Sequence, residues 1–250
     1  MKKTQLRFQK ASDQFRGLCS PSLQLEYDET KPIIDLPHPK DIRLETTDLI
    51  KAIENRRSIR KYSEQPLKLE ELSLLLWCTQ GVKEVLRESV TLRNVPSAGA
   101  RHALETYLLV NRVQSLHSGL YRFLAVKHKL VEVSLDPGLA DEVTRACLNQ
   151  EFVKTSAVTF IWTAVPYRMV WRYGERGYRY LHIDAGHVCQ NLYLVAETID
   201  AGVCAIAAFD DEALNRALEI DGKQQWAIYI AALGKIQQRE SQRSSHATRT

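Results

Sequence analysis

Between residues 178 and 199 the apolar side chains of Tyr178, Leu181, Ala185, Val188, Leu192, Val195 and Ile199 recur at gaps of three and four. That spacing lays them along one stripe of an α-helix and is the strongest periodic signal in the chain. With Gly202 as a C-terminal cap, the pattern predicts about six turns, roughly 33 Å at 1.5 Å per residue. Ile183, Tyr193, Leu194 and Ala196 add apolar positions off the stripe. More than one face must then pack, which suits either a central core helix or a helix shared with a second copy of the chain.

Residues 1–45 mix charge with Pro32, Pro37 and Pro39 and read as an N-terminal arm. Thr47 or Asp48 caps a helix bearing Leu49, Ile50 and Ile53, which runs into Arg56-Arg57-Ser58-Ile59-Arg60. After Pro66 a second helix carries Leu69, Leu72, Leu75, Leu76 and Thr79 on one face and closes at Gly81. Residues 87–101 read as a loop containing Pro96-Ser97-Ala98-Gly99, feeding a strand at 105–110. Residues 119–123 and 129–133 predict a hairpin, and Asp136-Pro137 opens a helix with Leu139, Val143 and Ala146 inward. A buried strand at 157–164 and a connection at 167–177 lead into the long helix. Beyond it come a strand at 203–209, a helix at 211–218 and a last strand at 226–233, closed by Gly234-Lys235.

Strands and helices alternate without regular β-α-β spacing, so the class is α+β, with one domain over residues 46–236. The polar, Ser/Arg-rich residues 237–250 read as a disordered tail. A hydrophobic fraction of 44% and a charged fraction of 26% are those of an ordinary globular chain. The net charge of +4 is modest and its basic residues are interleaved with acidic ones except near Arg56 and in the C-terminal tail, which fits a localised anion site better than a nucleic-acid partner. No run of about 18 apolar residues exists, so no membrane span is expected. The five cysteines are odd in number and form no C-x-x-C pair, which excludes a disulfide framework and a zinc knuckle. Met1-Lys2-Lys3-Thr4 is followed by Gln5, Arg7, Gln9 and Lys10 rather than an apolar run, so a cytoplasmic location is expected.

Candidate chemistry gathers at two places. Arg56, Arg57 and Arg60 carry fixed charge, and Ser58 adds a hydroxyl; guanidinium forks bind phosphate oxygens two at a time. Pro96-Ser97-Ala98-Gly99 offers small side chains and open backbone, suited to close approach of a flat ring. Lys235 could add a cation from far along the chain. His182 and His187 lie five positions apart, about 140° around a helix axis, which argues against a shared ion, and no metal is expected. No P-loop or dinucleotide glycine pattern is present, nor a Ser or Cys nucleophile motif.

In order along residues 48–236, these stretches resemble the nitroreductase family of FMN enzymes, and within it the SagB-type azoline dehydrogenases. The resemblance rests on Arg56-Arg57-Ser58-Ile59-Arg60, Leu74-Leu75-Leu76-Trp77 with Gly81, and Pro96-Ser97-Ala98-Gly99 with Glu105. It continues through Gly119-Leu120-Tyr121, Tyr173-Gly174-Glu175-Arg176, Tyr178-Arg179-Tyr180, Asp184-Ala185-Gly186-His187 and Gln190-Asn191-Leu192. It implies a mostly antiparallel or mixed sheet flanked by helices, and a homodimer joined through its long helices with FMN at each interface site. Arg56, Arg57, Ser58 and Arg60 would hold the phosphate and part of the ring. Pro96 to Gly99 would come from the partner subunit, Ala207 and Ala208 would face the flavin, and Lys235 would lie near the phosphate. Hydride would pass between NAD(P)H and an organic acceptor.

Two positions depart from the family pattern. Alanine stands at 207 and 208 where the family carries glycine, and Arg172-Tyr173 stands where the azoline dehydrogenases carry Lys-Tyr. Arginine does not release a proton in the working pH range, which leaves Tyr173 as the assisting group for a modified-peptide substrate. A scaffold or peptide-binding subunit without chemistry is the alternative from another class.

Overall fold

In the computed structural model the described residues are 2–42, 47–86 and 89–236. Strands β1 (Ile33–Asp35), β4 (Leu104–Val110), β5 (Gly119–Leu124), β6 (Lys129–Ser134), β7 (Val158–Ala164), β8 (Ala201–Ile206) and β9 (Trp226–Lys235) form one sheet. Their order across it is β1-β6-β5-β4-β7-β9-β8, and every pairing is antiparallel. Strands β2 (Val82–Leu86) and β3 (Val90–Arg93) make a separate hairpin. The expected α+β architecture is therefore what the chain adopts.

The pleat divides each central strand between two apolar clusters. Leu104, Leu108 and Val110 of β4 and Phe160 and Trp162 of β7 join the cluster under α2 (Leu69–Gln80) and α6 (Gly177–Ala196). Tyr107, Leu109 and Ile161 face the other way, toward α3 (Leu139–Ala146) and α7 (Asp211–Ala217). Strands covered on both faces can be continuously apolar, which is why residues 157–164 show little alternation. On α6, Leu181, Ala185, Val188 and Leu192 are at most 3% exposed. Each fully buried Leu or Val of this kind stabilises the fold by about 1.5–3 kcal/mol.

Three expectations need correction. The long helix ends at Ala196, a 3-10 turn covers Glu197–Ile199, and Asp200 takes the left-handed conformation (φ 50°) at the reversal. Gly202 is not the cap but a residue of β8, where a Cβ would meet Ile59 Cβ at 2.5 Å. The predicted connection at 167–177 is mostly helix: α5 (Pro166–Tyr173) starts on a proline whose missing N–H costs nothing there, and buries Met169 and Trp171. Within the predicted loop at 87–101, residues 90–93 are strand β3, paired with β2 ahead of the loop. Asp48 does cap α1 (Leu49–Asn55), its carboxylate accepting from Lys51 N–H at 3.0 Å.

The arm lies along its own body, held by arginine donors. Arg168 donates to the Ser22 carbonyl at 2.8 Å, Arg122 to those of Leu25 and Glu26, and Arg176 to that of Thr4. β1 pairs with β6 at the sheet edge. The predicted tail at 237–250 lies outside the described residues. No helix among the described residues is long and apolar enough to cross a membrane.

Candidate functional site

The Arg56–Arg60 motif leaves the C-terminal end of α1 and crosses the exposed side of the edge strand β8. Ser58 bridges Val203 in parallel register, and Ile59 N–H donates to the Val203 carbonyl at 2.9 Å. Gly202 makes this approach possible, because any side chain there would collide with Ile59. The Arg56 guanidinium stacks over the Tyr193 ring at 5.4 Å, and Arg60 lies over Phe152, the first residue of α4 (Phe152–Thr155), at 5.9 Å. Arg57 is exposed. Ala207 and Ala208 follow β8 and are also exposed, and the Ala208 carbonyl accepts from Gln150 at 3.1 Å. The predicted phosphate residues and the alanine pair thus gather around one strand.

A second group forms around the loop before β4. Ser97 Oγ donates to Asp184 Oδ2 of α6 at 2.5 Å, and His102 N–H donates to Ser97 Oγ at 2.9 Å. Burial raises the Asp184 carboxyl above its ordinary value, opposed by the Ser97 and Ala98 bonds. Gly99, Ala100 and His102 all have positive φ, at 58°, 53° and 43°. Gly99 takes this conformation freely, whereas Ala100 and His102 carry a side chain there and store strain of the kind met at ligand-contacting loops. Arg172 and Tyr173 join this group from α5: a Cβ on Gly99 would strike the Tyr173 hydroxyl and come within 2.9 Å of Arg172 Nε. The Arg172 guanidinium rests 5.6 Å from the Tyr173 ring, and burial lowers the pKa of the neighbouring Arg101, with Arg172 adding repulsion. Pro96, Ser97, Ala98, Gly99, Arg172 and Tyr173 therefore form one constellation.

These two constellations lie on opposite sides of α6. Asp184 anchors one and Tyr193 the other; nine residues separate them, about 180° around the axis and roughly 14 Å along it. Lys235, expected near a phosphate, is not brought into either constellation. It is 6% exposed, and its ammonium donates to Glu71 Oε1 at 2.6 Å and to the Ile199 carbonyl at 2.5 Å. Its charge is met inside the fold by a carboxylate and a backbone carbonyl.

Tyr193 and Asn191 gain roles that periodicity hid. By spacing Tyr193 is one more apolar position, yet its hydroxyl accepts from Ala205 N–H at 2.9 Å and lies 3.0 Å from Ser58 Oγ. Asn191 donates to the Cys78 carbonyl of α2 at 2.9 Å, joining the two helices. His182 Nδ1 contacts the Tyr178 carbonyl at 2.8 Å. No group of three or more His, Cys, Asp or Glu side chains among the described residues is placed to hold a metal ion.

Comparison with known proteins bears on the family and the fold. A profile of the nitroreductase family matches residues 53–235. A protein of Methanocaldococcus jannaschii that carries the name nitroreductase is 37% identical over 202 residues, covering 81% of this chain and 96% of its own. A trifolitoxin-processing protein of Rhizobium leguminosarum bv. trifolii is 28% identical over 131 residues, 51% of this chain but only 35% of that longer protein. Among solved structures, a nitroreductase-named protein of Anabaena variabilis superposes with a TM-score of 0.66 at 33% identity over 76% of this chain and 38% of its own. A chain of the Escherichia coli microcin synthetase McbBCD complex, solved with truncated pro-MccB17, superposes at 0.61 with 18% identity, over 94% of this chain and 91% of its own. With the family profile spanning most of the folded body and both constellations inside it, the chain belongs to the nitroreductase family.

Proposed function

We propose that this protein is an FMN-dependent oxidoreductase that moves hydride between NAD(P)H and an organic acceptor. The carrying observation is the donor set at β8. Arg56, Arg57 and Arg60 have no carboxylate within ion-pair distance among the described residues, and Ser58 is exposed beside them. Three uncompensated guanidiniums and a hydroxyl fit a phosphate monoester, which takes paired N–H donors well. When bound, FMN supplies the hydride chemistry at its N5 position. The chain's share is orientation and charge: the arginines and Ser58 hold the phosphate, and the exposed backbone of Ala207 and Ala208 lines the approach to the ring.

The second constellation serves the same site from another copy of the chain. One protomer presents Asp184 and Tyr193 on opposite faces of α6, so its own Pro96–Gly99 loop is turned away from its own arginine motif. A two-fold dimer brings one protomer's loop to its partner's arginines. Exposed Ile183 (47%) and Gly186, with nothing within 4 Å of where its Cβ would be, offer an α6 face for close packing. Leu49, Ile50 and Ile53 of α1, each at least 50% exposed, extend it.

Oxidation of an azoline ring in a modified peptide is the second reading, favoured by the trifolitoxin-processing relative and by Tyr173 against Gly99. There Tyr173 assists removal of a proton while hydride leaves the ring, and Arg172, fixed in its charged form, orients rather than accepts. An absorbance spectrum of the purified protein with FMN, then anaerobic NADH or NADPH, tests both. Flavin that bleaches with nicotinamide supports the reductase. Bound flavin that ignores both nicotinamides favours the substrate-driven dehydrogenase, and failure to bind FMN sinks both and leaves the scaffold.

A further inference from the structure

A cavity of about 930 Å³ shares no residue with either constellation. Its walls are the arm around Ser22 and Leu25, the first turn of α5, and the turn at 219–225. Two arginines line it that are almost wholly withdrawn from water: Arg122 of β5, 6% exposed, and Arg168 of α5, 1% exposed. Arg168 pairs with Glu105 at 2.6 Å and donates to Ser22, yet its Nη1 is buried without a partner. Arg122 has no carboxylate within ion-pair distance among the described residues; it donates to the carbonyls of Leu25 and Glu26, and its Nε is likewise unpartnered. Two buried guanidiniums thus face one carboxylate, an excess of positive charge that water does not solvate.

Further donors surround the same space. Tyr107 stands opposite Arg122 in the β4–β5 register, so both side chains share one sheet face, and the Gln225 amide adjoins the Tyr107 hydroxyl at 3.4 Å. The first turn of α5 has no side-chain cap; Pro166 carries no N–H and the Arg168 N–H goes to the Val165 carbonyl, so what this helix end adds to the field is the positive end of its dipole. The buried Glu105 stands behind Arg168, and among the residues that line the cavity acidic side chains lie only at the exposed rim. Asp221 there accepts the backbone N–H groups of Lys223, Gln224 and Gln225, and Glu26 and Glu219 are solvated and screened. Tyr167 and Tyr178, 45% and 37% exposed, supply aromatic faces at the cavity wall.

We propose that this cavity is a binding site for a small aromatic anion, a carboxylate or a phosphate monoester carried on a planar ring. The anion satisfies the unpartnered guanidinium N–H groups, and the ring packs against the tyrosines. Because the site is separate from the arginine motif at β8, it is occupied whether or not flavin is present.

The test is calorimetric titration of the full-length protein with benzoate, phenyl phosphate and the neutral isostere benzamide. Saturable binding of either anion, with none by benzamide, is expected; the tighter of the two identifies the head group. Arg122→Gln should weaken that binding at least about tenfold while leaving FMN affinity unchanged. If a melting curve shows that this variant is unfolded, Tyr107→Phe, which removes only a hydroxyl, should weaken binding about threefold. The proposal is overturned if neither anion binds, if benzamide binds equally well, or if a folded variant binds the anion as the wild type does.

Discussion

The Tyr193 hydroxyl lies 3.0 Å from Ser58 Oγ and 2.9 Å from the Ala205 amide nitrogen, so one side chain of α6 ties the arginine motif to the edge strand. Since the Ala205 N–H is a donor, the hydroxyl accepts there and can pass its own proton toward Ser58, turning the serine's proton outward. Such a chain of donors strengthens along its length. Tyr193→Phe should therefore weaken FMN about tenfold, consistent with losing a hydrogen bond worth about 1–2 kcal/mol. Riboflavin, which lacks the phosphate, should bind both proteins alike in flavin fluorescence titrations. Equal losses for the two flavins would instead mean general loosening of the fold.

Lys235 gives the opposite expectation. With its ammonium enclosed by Glu71 and the Ile199 carbonyl, Lys235→Met leaves Glu71 buried and unpaired. Breaking a buried pair from one side costs about 3–5 kcal/mol, whereas replacing both partners by apolar groups is far milder. Denaturant unfolding should show a large loss for Lys235→Met and recovery in the Lys235→Met/Glu71→Leu double variant. An unchanged midpoint for the single variant would remove the structural role.

Gly99→Ala combines a left-handed backbone with a collision against Tyr173. The expected cost is about 1–3 kcal/mol in stability, with Tyr173 displaced. A Gly99→Ala/Tyr173→Phe protein removes the hydroxyl that the new methyl strikes. Part of the loss should return in thermal melts, and a purely additive double variant would show that the collision is relieved elsewhere.

His102 makes stability depend on pH. Burial pushes its imidazole from 6.5 down to about 3, and Arg93 beside it acts in the same direction. Between these values the unfolded chain binds a proton that the folded chain refuses. The stabilisation is therefore complete above about pH 6.5 and is lost progressively as pH falls toward about 3. Burial also lowers His128, which adds a slope of the same sign. His102→Asn, chosen because asparagine tolerates the positive φ, should flatten the fall in melting temperature between about pH 7 and pH 5 without abolishing it.

The proposed dimer carries its own check. Ile183→Glu, on the exposed side of α6, should shift the protein toward monomer in sedimentation and weaken FMN in parallel, because in the proposed arrangement each flavin would contact both chains. Retained flavin affinity in a monomeric variant would confine the whole site to one protomer.

Much of the fold was legible along the chain. The three- and four-residue spacing of Leu181, Ala185, Val188 and Leu192 marks a buried helix face because only that geometry stacks those side chains together. Asp48 announces its helix by the same local rule, a short carboxylate reaching the orphan N–H groups of the first turn. The resemblance carried by Arg56-Arg57-Ser58-Ile59-Arg60 likewise pointed to the family. The sequence does not mark α5 because its eight residues make only about two turns, too few for a three- and four-residue repeat to show, nor the turn at Asp200, because tolerance of the left-handed region is not exclusive to glycine.

By itself, then, the sequence determined the strongly periodic helices and strands, which of their faces are apolar, and which motif resembles the family, since each depends on neighbours a few residues apart; α5, β1 and the β2–β3 hairpin it did not. The tertiary structure alone decided where the charges meet. Lys235 finds Glu71 across 164 positions, Tyr193 finds Ser58 across 135, and Arg168 finds Glu105 across 63. An ion or a hydroxyl is satisfied by whatever lies within about 3 Å of it, and in a folded chain that distance has no counterpart in sequence spacing.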